Sequence, residues 1–167
     1  MNYIINTVDK SDLDYLILLN QKSLPEVSSI DLVGMTYFLE NSSYFKIIHD
    51  NDHPVGFLIG LMPGKDYSSE NYVWINKRYN SFIYIDRVII DKKYRHKGIG
   101  SYFYDHLAKT YCGKVDSMMC EVNILPYNKP SINFHKKYGF KEIAQKNIEN
   151  GEKRVSYLMC KIPLYTL

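Results

Sequence analysis

One stretch constrains this chain more than any other. Ser81 to Asp91 reads as a strand, and its end, Val88-Ile89-Ile90, is an unbroken β-branched run. That is the pattern of a strand covered on both faces. It leads directly into Arg95-His96-Lys97-Gly98-Ile99-Gly100, after which Ile99, Phe103, Leu107 and Tyr111 recur every four residues. That spacing predicts an amphipathic helix. A strand, a glycine turn and a helix in immediate succession commit the chain to α/β layering. They also build an anion site, because the first helical N–H groups lack intrahelical partners and lie at the positive end of the helix dipole. Gly98 and Gly100 let that backbone approach a phosphate closely.

The rest of the chain fits around this junction. Asn2 to Val8 reads as a strand, Ser11 as the N-cap of a helix bearing Leu13, Leu16 and Ile17, and Ile30 to Asn41 as a second, weaker helix. Tyr44–Ile48 and Val55–Met62 form a hairpin about a turn-rich His49–Pro54. Pro63 to Asn80 is the least regular part. Val115–Val122 is a strand, and Asn128 caps a helix that tolerates Pro130 early and stops at Gly139. Phe140–Ile148 and Arg154–Ile162 close an antiparallel pair around Glu149-Asn150-Gly151. The expectation is one α/β (α+β) domain, residues 1–167, with a mixed six- to seven-stranded sheet and about four flanking helices.

Several functions are disfavoured. The loop is neither a phosphate-binding Walker A loop nor the dinucleotide GxGxxG, and no GxSxG nucleophile elbow occurs. The five histidines lack metal-ligand spacing, so no metal is expected. A net charge of +3 is too mild to argue for nucleic acid, and no apolar run is long enough for a membrane helix. Three dispersed cysteines read as reduced thiols, which suits a cytoplasmic protein.

The R-x-x-G-x-G spacing resembles motif A of the GNAT superfamily of N-acetyltransferases. Its surroundings strengthen the resemblance: Ile85-Asp86-Arg87-Val88-Ile89-Ile90-Asp91 is similar to the family's fourth strand. Downstream, Asn128, Ser131, Phe134, His135 and Gly139-Phe140 match its N-x-x-A-x-x-L-Y-x-x-x-G-F segment, with Ser for Ala. The set YIDRVII, RHKGIG, CEVN and FHKKYGF looks like a bacterial subgroup of uncharacterised acetyltransferases. The resemblance implies splayed central strands, acetyl-CoA as cosubstrate and direct acetyl transfer in a ternary complex. The acceptor would be a small-molecule amine, an amino acid or a peptide N-terminus, and a homodimer is the family-level expectation. It also implies that Val88 and Ile90 pair with the pantetheine amides and that the Val88 or Ile89 N–H polarises the thioester oxygen. Arg95, His96, Lys97, Gly98, Ile99, Gly100 and Ser101 would hold the pyrophosphate. Asn128 and Ser131 would contact the pantetheine or phosphate arm, and Asn123 would face the acetyl group or the acceptor.

Attack of a neutral amine on a thioester needs a base for the ammonium proton and an acid for the thiolate. Asp86 occupies a position where several family members carry the base, and strand alternation lets it face the cleft; the alternative is a salt bridge to Arg87. The family's usual acid is a tyrosine where this chain has His135. Histidine can donate a proton near neutral pH, so His135, Tyr138 one turn on, or water are the open choices. The departure at His135 also motivates a different reading, a catalytically silent acyl-CoA-binding sensor. Tyr67, Tyr72, Trp74 and Tyr79 are candidates for caging a cationic amine, with ordinary packing as the alternative.

Overall fold

The computed structural model describes residues 3–163. Its strands are β1 (Tyr3–Thr7), β2 (Tyr44–Asp50), β3 (His53–Leu61), β4 (Phe82–Ile90), β5 (Ser117–Leu125), β6 (Lys141–Ile148) and β7 (Lys153–Lys161). Its α-helices are α1 (Leu13–Gln21), α2 (Leu32–Asn41), α3 (Glu70–Asn76), α4 (Ile99–Tyr111) and α5 (Lys129–Tyr138). The strands make a seven-stranded mixed sheet in the order β1-β2-β3-β4-β5-β7-β6. The chain divides into two compact units. One takes the chain through Leu61 together with Ile85–Leu107, and the other takes Met62–Tyr84 together with the chain from Ala108.

In the first unit, β1, β2 and β3 are antiparallel neighbours. The β2–β3 hairpin is tighter than the sequence suggests: Asp50 pairs with His53, leaving Asn51-Asp52 as the turn, with Asn51 in the left-handed region at φ 55°. Helix α1 is preceded by a 3-10 turn whose cap is Asp9 rather than Ser11. The Asp9 carboxylate accepts from Ser11 N at 2.7 Å, and Asp12 accepts in return from Asp9 N at 2.9 Å. Asp31 caps α2 by accepting from Gly34 N at 2.9 Å, so that helix starts at Leu32 instead of Ile30. Leu16 and Met35 are fully enclosed.

In the second unit, β4 and β5 pair in parallel over only three residues, Phe82–Tyr84 with Ser117–Met119. Strand β5 continues against β7, which pairs with β6, both antiparallel. The segment expected to be irregular contains α3, capped by Ser69. Seven residues are too few for periodicity to reveal a helix, and so short a helix depends on tertiary contacts. Those contacts are present: Tyr72 Oη donates to Met62 O at 2.7 Å and accepts from Lys65 N at 2.9 Å, while Asn76 Oδ1 accepts from Gly64 N at 2.9 Å. Helix α5 follows the sequence closely. Asn128 accepts from Ser131 N at 3.2 Å, and Gly139 ends the helix at φ 117°.

The half of β4 that carries the junction lies in the first unit, and Gly56 of β3 sets how closely β4 approaches. A Cβ at Gly56 would stand 2.5 Å from Ile89 O and 2.6 Å from Ile90 Cδ1. Asp91 N donates to Val55 O at 2.9 Å just beyond. Gly56→Ala therefore forces the backbone at Ile89–Ile90 to move, and we expect a loss of about 1–3 kcal/mol in stability, measured by denaturant unfolding.

Candidate active site

The glycine turn is a preformed cradle. After β4, residues Lys92–Tyr94 make a 3-10 turn capped by Asp91, whose carboxylate accepts from Lys93 N at 2.9 Å. His96 and Gly98 then adopt left-handed conformations, φ 64° and 81°. Gly98 O accepts the first helical bond, from Tyr102 N at 3.0 Å. The amides of Ile99, Gly100 and Ser101 consequently open the helix with no carbonyl of their own helix to bond, the arrangement that receives anions. A Cβ at Gly98 would meet nothing within 4 Å, so the glycine is required by its dihedral and the space beside it is open. Arg95 braces the turn: its Nε donates to Ile90 O at 3.0 Å. Lys97 stands 4.7 Å over the Tyr94 ring. Residues Arg95 to Ser101 are thus brought together at one helix start, and their chemistry fits a pyrophosphate.

On β4, Ile89 is buried while Val88 and Ile90 are half-buried, the alternation expected of a strand. Asp86, half-buried, and Arg87, buried, continue that alternation. The reasoning that strand alternation turns Asp86 away from Arg87 does not describe the side chains: Arg87 Nε donates to Asp86 Oδ2 at 2.8 Å, and the two side chains are 6% and 5% exposed. The Asp86 carboxylate is thus engaged by a buried guanidinium.

In the second unit, Asn123 lies within β5, pairs in register with Val155, and accepts through its backbone carbonyl from Asn128 N at 3.0 Å. Ser131, His135 and Tyr138 lie on α5. His135 is buried, and burial pushes its pKa down to about 4, against the opposing effect of its hydrogen bond. Nδ1 lies 2.8 Å from Ser131 O, a contact that becomes a hydrogen bond when Nδ1 carries the proton. The Phe134 and Phe140 rings stand edge-on to it, each 5.1 Å away. This is a packed imidazole. With its pKa down to about 4 the ring is neutral near neutral pH. Tyr138 is half-buried beside Phe134 and Phe140.

Sequence reasoning passed over one group in this unit. Glu121 on β5 accepts from Tyr84 Oη at 2.8 Å and from Asn71 Nδ2 at 3.0 Å, and Asn71 Oδ1 accepts from Tyr157 Oη at 3.0 Å. Burial first, then the Glu121 charge, drives the Tyr157 pKa upward, so its hydroxyl stays protonated. The available signal was an ionisable residue inside the apolar run Met118-Met119-Cys120-Glu121-Val122. Three of the four aromatic candidates make packing contacts. Tyr72 is core, packed on Tyr67, Phe82 and Tyr84. Trp74 stacks on Tyr157 at 4.1 Å, with the Arg78 guanidinium 4.2 Å from its own ring.

The acetyltransferase (GNAT) family model matches residues 13–140. The chain belongs to the GNAT family. Acetyltransferase activity is general to that family, and its fold typically takes acetyl-CoA as cosubstrate. Similar solved structures include Ard1 from Thermoplasma volcanium, at 18% identity and TM-score 0.79, covering 98% of this chain and 99% of that one. Arabidopsis thaliana NAA60 in complex with a bisubstrate analogue is similar at 18% identity and TM-score 0.77, covering 98% and 99%. The ribosomal-protein-S18-alanine N-acetyltransferase from Escherichia coli is similar at 14% identity and TM-score 0.69, covering 99% and 97%. At these identities the likeness establishes the fold. No curated protein matches the sequence. Among the described residues no group of three or more His, Cys, Asp or Glu could hold a metal ion, and no helix is long and apolar enough to cross a membrane.

His135 also gives the protein a pH signature. Its folded pKa of about 4 lies below the ordinary 6.5 of an unfolded chain, so the unfolded state binds the extra proton between those values. Stability from the neutral ring is complete above pH 6.5 and is lost as the pH falls through 4. The loss is about 3 kcal/mol. Unfolding measured across this window is expected to show the slope in the native protein and to lose most of it in His135→Leu.

Proposed function

We propose that this protein is an N-acetyltransferase that moves the acetyl group of acetyl-CoA directly onto a primary amine in a ternary complex. The observation that carries the reading is the amide cradle at the start of α4, built by Arg95–Ser101 with His96 and Gly98 left-handed. Basic side chains and helix-start amides suit a pyrophosphate, and the adjoining Val88 and Ile90 backbone suits the pantetheine amides. The Val88 or Ile89 N–H would meet charge developing on the thioester oxygen, worth about 3 kcal/mol when preorganised. Asn128 and Ser131 are assigned to the pantetheine or phosphate arm, and Asn123 to the acetyl group or acceptor. An amine acceptor is supported by the Escherichia coli relative, whose name makes it an alanine N-acetyltransferase of a ribosomal protein.

The amine nitrogen attacks the thioester carbon, a C–N bond forms, and the C–S bond breaks to release the thiolate. The nitrogen gives up one proton, and the thiolate takes one. Glu121 on β5 is assigned the amine proton on geometry, because its carboxylate meets a phenol and an amide whereas Asp86 is already engaged by the Arg87 guanidinium. Tyr138 or water supplies the thiolate proton.

Purified protein with acetyl-CoA and a panel of amines should release thiol only when an amine is present, with the acetylated amine detected by mass spectrometry. Tight acetyl-CoA binding without turnover on any amine would instead favour the sensor reading, which the neutral His135 motivates. Gly98→Val, forced to a φ of 81°, should weaken acetyl-CoA binding by about tenfold or more while the fold persists. Unchanged affinity would sink the loop assignment. Glu121→Gln should lower kcat by about 100-fold or more with acetyl-CoA affinity retained, the range typical of a lost general base.

A further inference from the structure

One network in the second unit ties the short helix α3 to the carboxylate assigned the amine proton. Tyr84 Oη donates to Glu121 Oε2 at 2.8 Å, and Asn71 Nδ2 donates to Glu121 Oε1 at 3.0 Å. Both carboxylate oxygens are therefore held, which sets the plane of the group. Asn71 Oδ1 in turn accepts from Tyr157 Oη of β7 at 3.0 Å. An asparagine amide has donors on one side and an acceptor on the other, and a half-turn exchanges them. Turned the other way, Asn71 would set its carbonyl oxygen against a carboxylate oxygen. The Tyr157 hydroxyl, by donating to Oδ1, selects the orientation that aims the N–H at Glu121.

The members of this network are themselves immobilised. Tyr157 is fully enclosed, lies opposite Glu121 in the β5–β7 register, and stacks on Trp74 with the rings 5° from parallel. Trp74 is gripped from its own chain, since Arg78 Nη1 donates to Trp74 O at 3.0 Å while the guanidinium stands beside the ring. Tyr84 is buried with its ring edge-on to Tyr72, the residue that fastens α3 to Met62 and Lys65. Hydrogen bonds aligned from Tyr157 through the Asn71 amide polarise one another, and their donor end meets the carboxylate. Groups locked in this way need no reordering when a substrate arrives.

We propose that Asn71 and Tyr157 are positioning residues for Glu121: Tyr157, pinned by Trp74, orients the Asn71 amide, and Asn71 with Tyr84 holds the carboxylate at the angle that receives the amine proton. The proton leaves the nitrogen and joins a Glu121 oxygen; Asn71 and Tyr157 exchange none. The inference rests on the acetyltransferase reading with Glu121 as proton acceptor, and deepens it by giving α3 a part in the chemistry. The competing account is that the same bonds only fasten α3 to the sheet. A fastener keeps its worth wherever Asn71 and Tyr157 stay bonded, whereas an orienter needs an N–H on the side of Glu121.

Alaninamide and glycinamide serve as probe acceptors with acetyl-CoA, and thiol release is the readout. Tyr157→Phe removes one oxygen and leaves the stack. It should lower kcat by about fivefold to tenfold with the acetyl-CoA KM unchanged, the worth of one oriented hydrogen bond. Asn71→Leu should lower kcat at least as far. Asn71→Asp keeps the shape and an acceptor for Tyr157 but has no N–H; kcat should fall at least as far again, and a native kcat there would make the network a fastener and overturn the inference. The variant carrying both Asn71→Leu and Tyr157→Phe should match Asn71→Leu alone, because Tyr157 acts through Asn71, and multiplied losses would overturn it. In the Glu121→Gln protein, Asn71→Leu should cost no more than about twofold further. A raised acetyl-CoA KM, or a lowered Tm with kcat intact, also counts against the inference. Should Asn71→Leu not fold, Tyr157→Phe carries the test, alone and with Glu121→Gln. An impaired Glu121→Gln protein beside native-like Asn71 and Tyr157 variants rejects the positioning role alone. A fully active Glu121→Gln protein rejects Glu121 as the acceptor, and turnover of neither amine by the native protein rejects the acetyltransferase reading beneath both.

Discussion

A guanidinium cannot leave water without a counter-charge and an acceptor for each direction in which its fork donates. Arg87 meets that demand with Asp86, Asn20 and Ser28, and the first unit is arranged around the solution. Breaking a buried ion pair from one side costs about 3–5 kcal/mol, whereas the intact pair adds little net stability. Its value therefore lies in geometry. One charge decides where the end of α1, the connector after it and the central strand lie with respect to one another.

The same electrostatic reasoning sorts the ionisable groups by task. Asp86 is bound to a cation, the Arg87 guanidinium. His135 is enclosed by aromatic rings and stays neutral. Glu121 accepts hydrogen bonds from a tyrosine hydroxyl and an asparagine amide. Residue type alone would rank histidine first among these for proton transfer near neutral pH. The surroundings reverse that order.

The junction from β4 into α4 was legible because its signals are local: a β-branched run, two glycines at fixed spacing and a four-residue apolar repeat. The α5 cap at Asn128 and its stop at Gly139 were legible for the same reason. Helix α3 was not, since seven residues make no repeat and its hold comes from Tyr72 and Asn76 reaching back to Met62, Lys65 and Gly64. Asp9 displaced Ser11 as a cap because its carboxylate engages both the Ser11 amide and the Ser11 hydroxyl. The pairing of Asp86 with Arg87 was foreseen only as an alternative, because strand alternation says where a Cβ points and nothing about how far a long side chain curls back. The network of Glu121 with Asn71, Tyr84 and Tyr157 joins residues up to 86 positions apart, beyond the reach of any local pattern.

The left-handed turns at His96 and Gly98 have a consequence for how the loop meets its ligand. An ordinary loop closing around an anion must give up conformational freedom at the moment of encounter, and that loss is subtracted from affinity. In this loop the dihedrals are already those of a receptor, and the strain of placing a histidine at φ 64° is borne by the folded chain. The amides wait in formation. On the proposed function, recognition at this corner of the molecule would be a matter of arrival rather than of rearrangement.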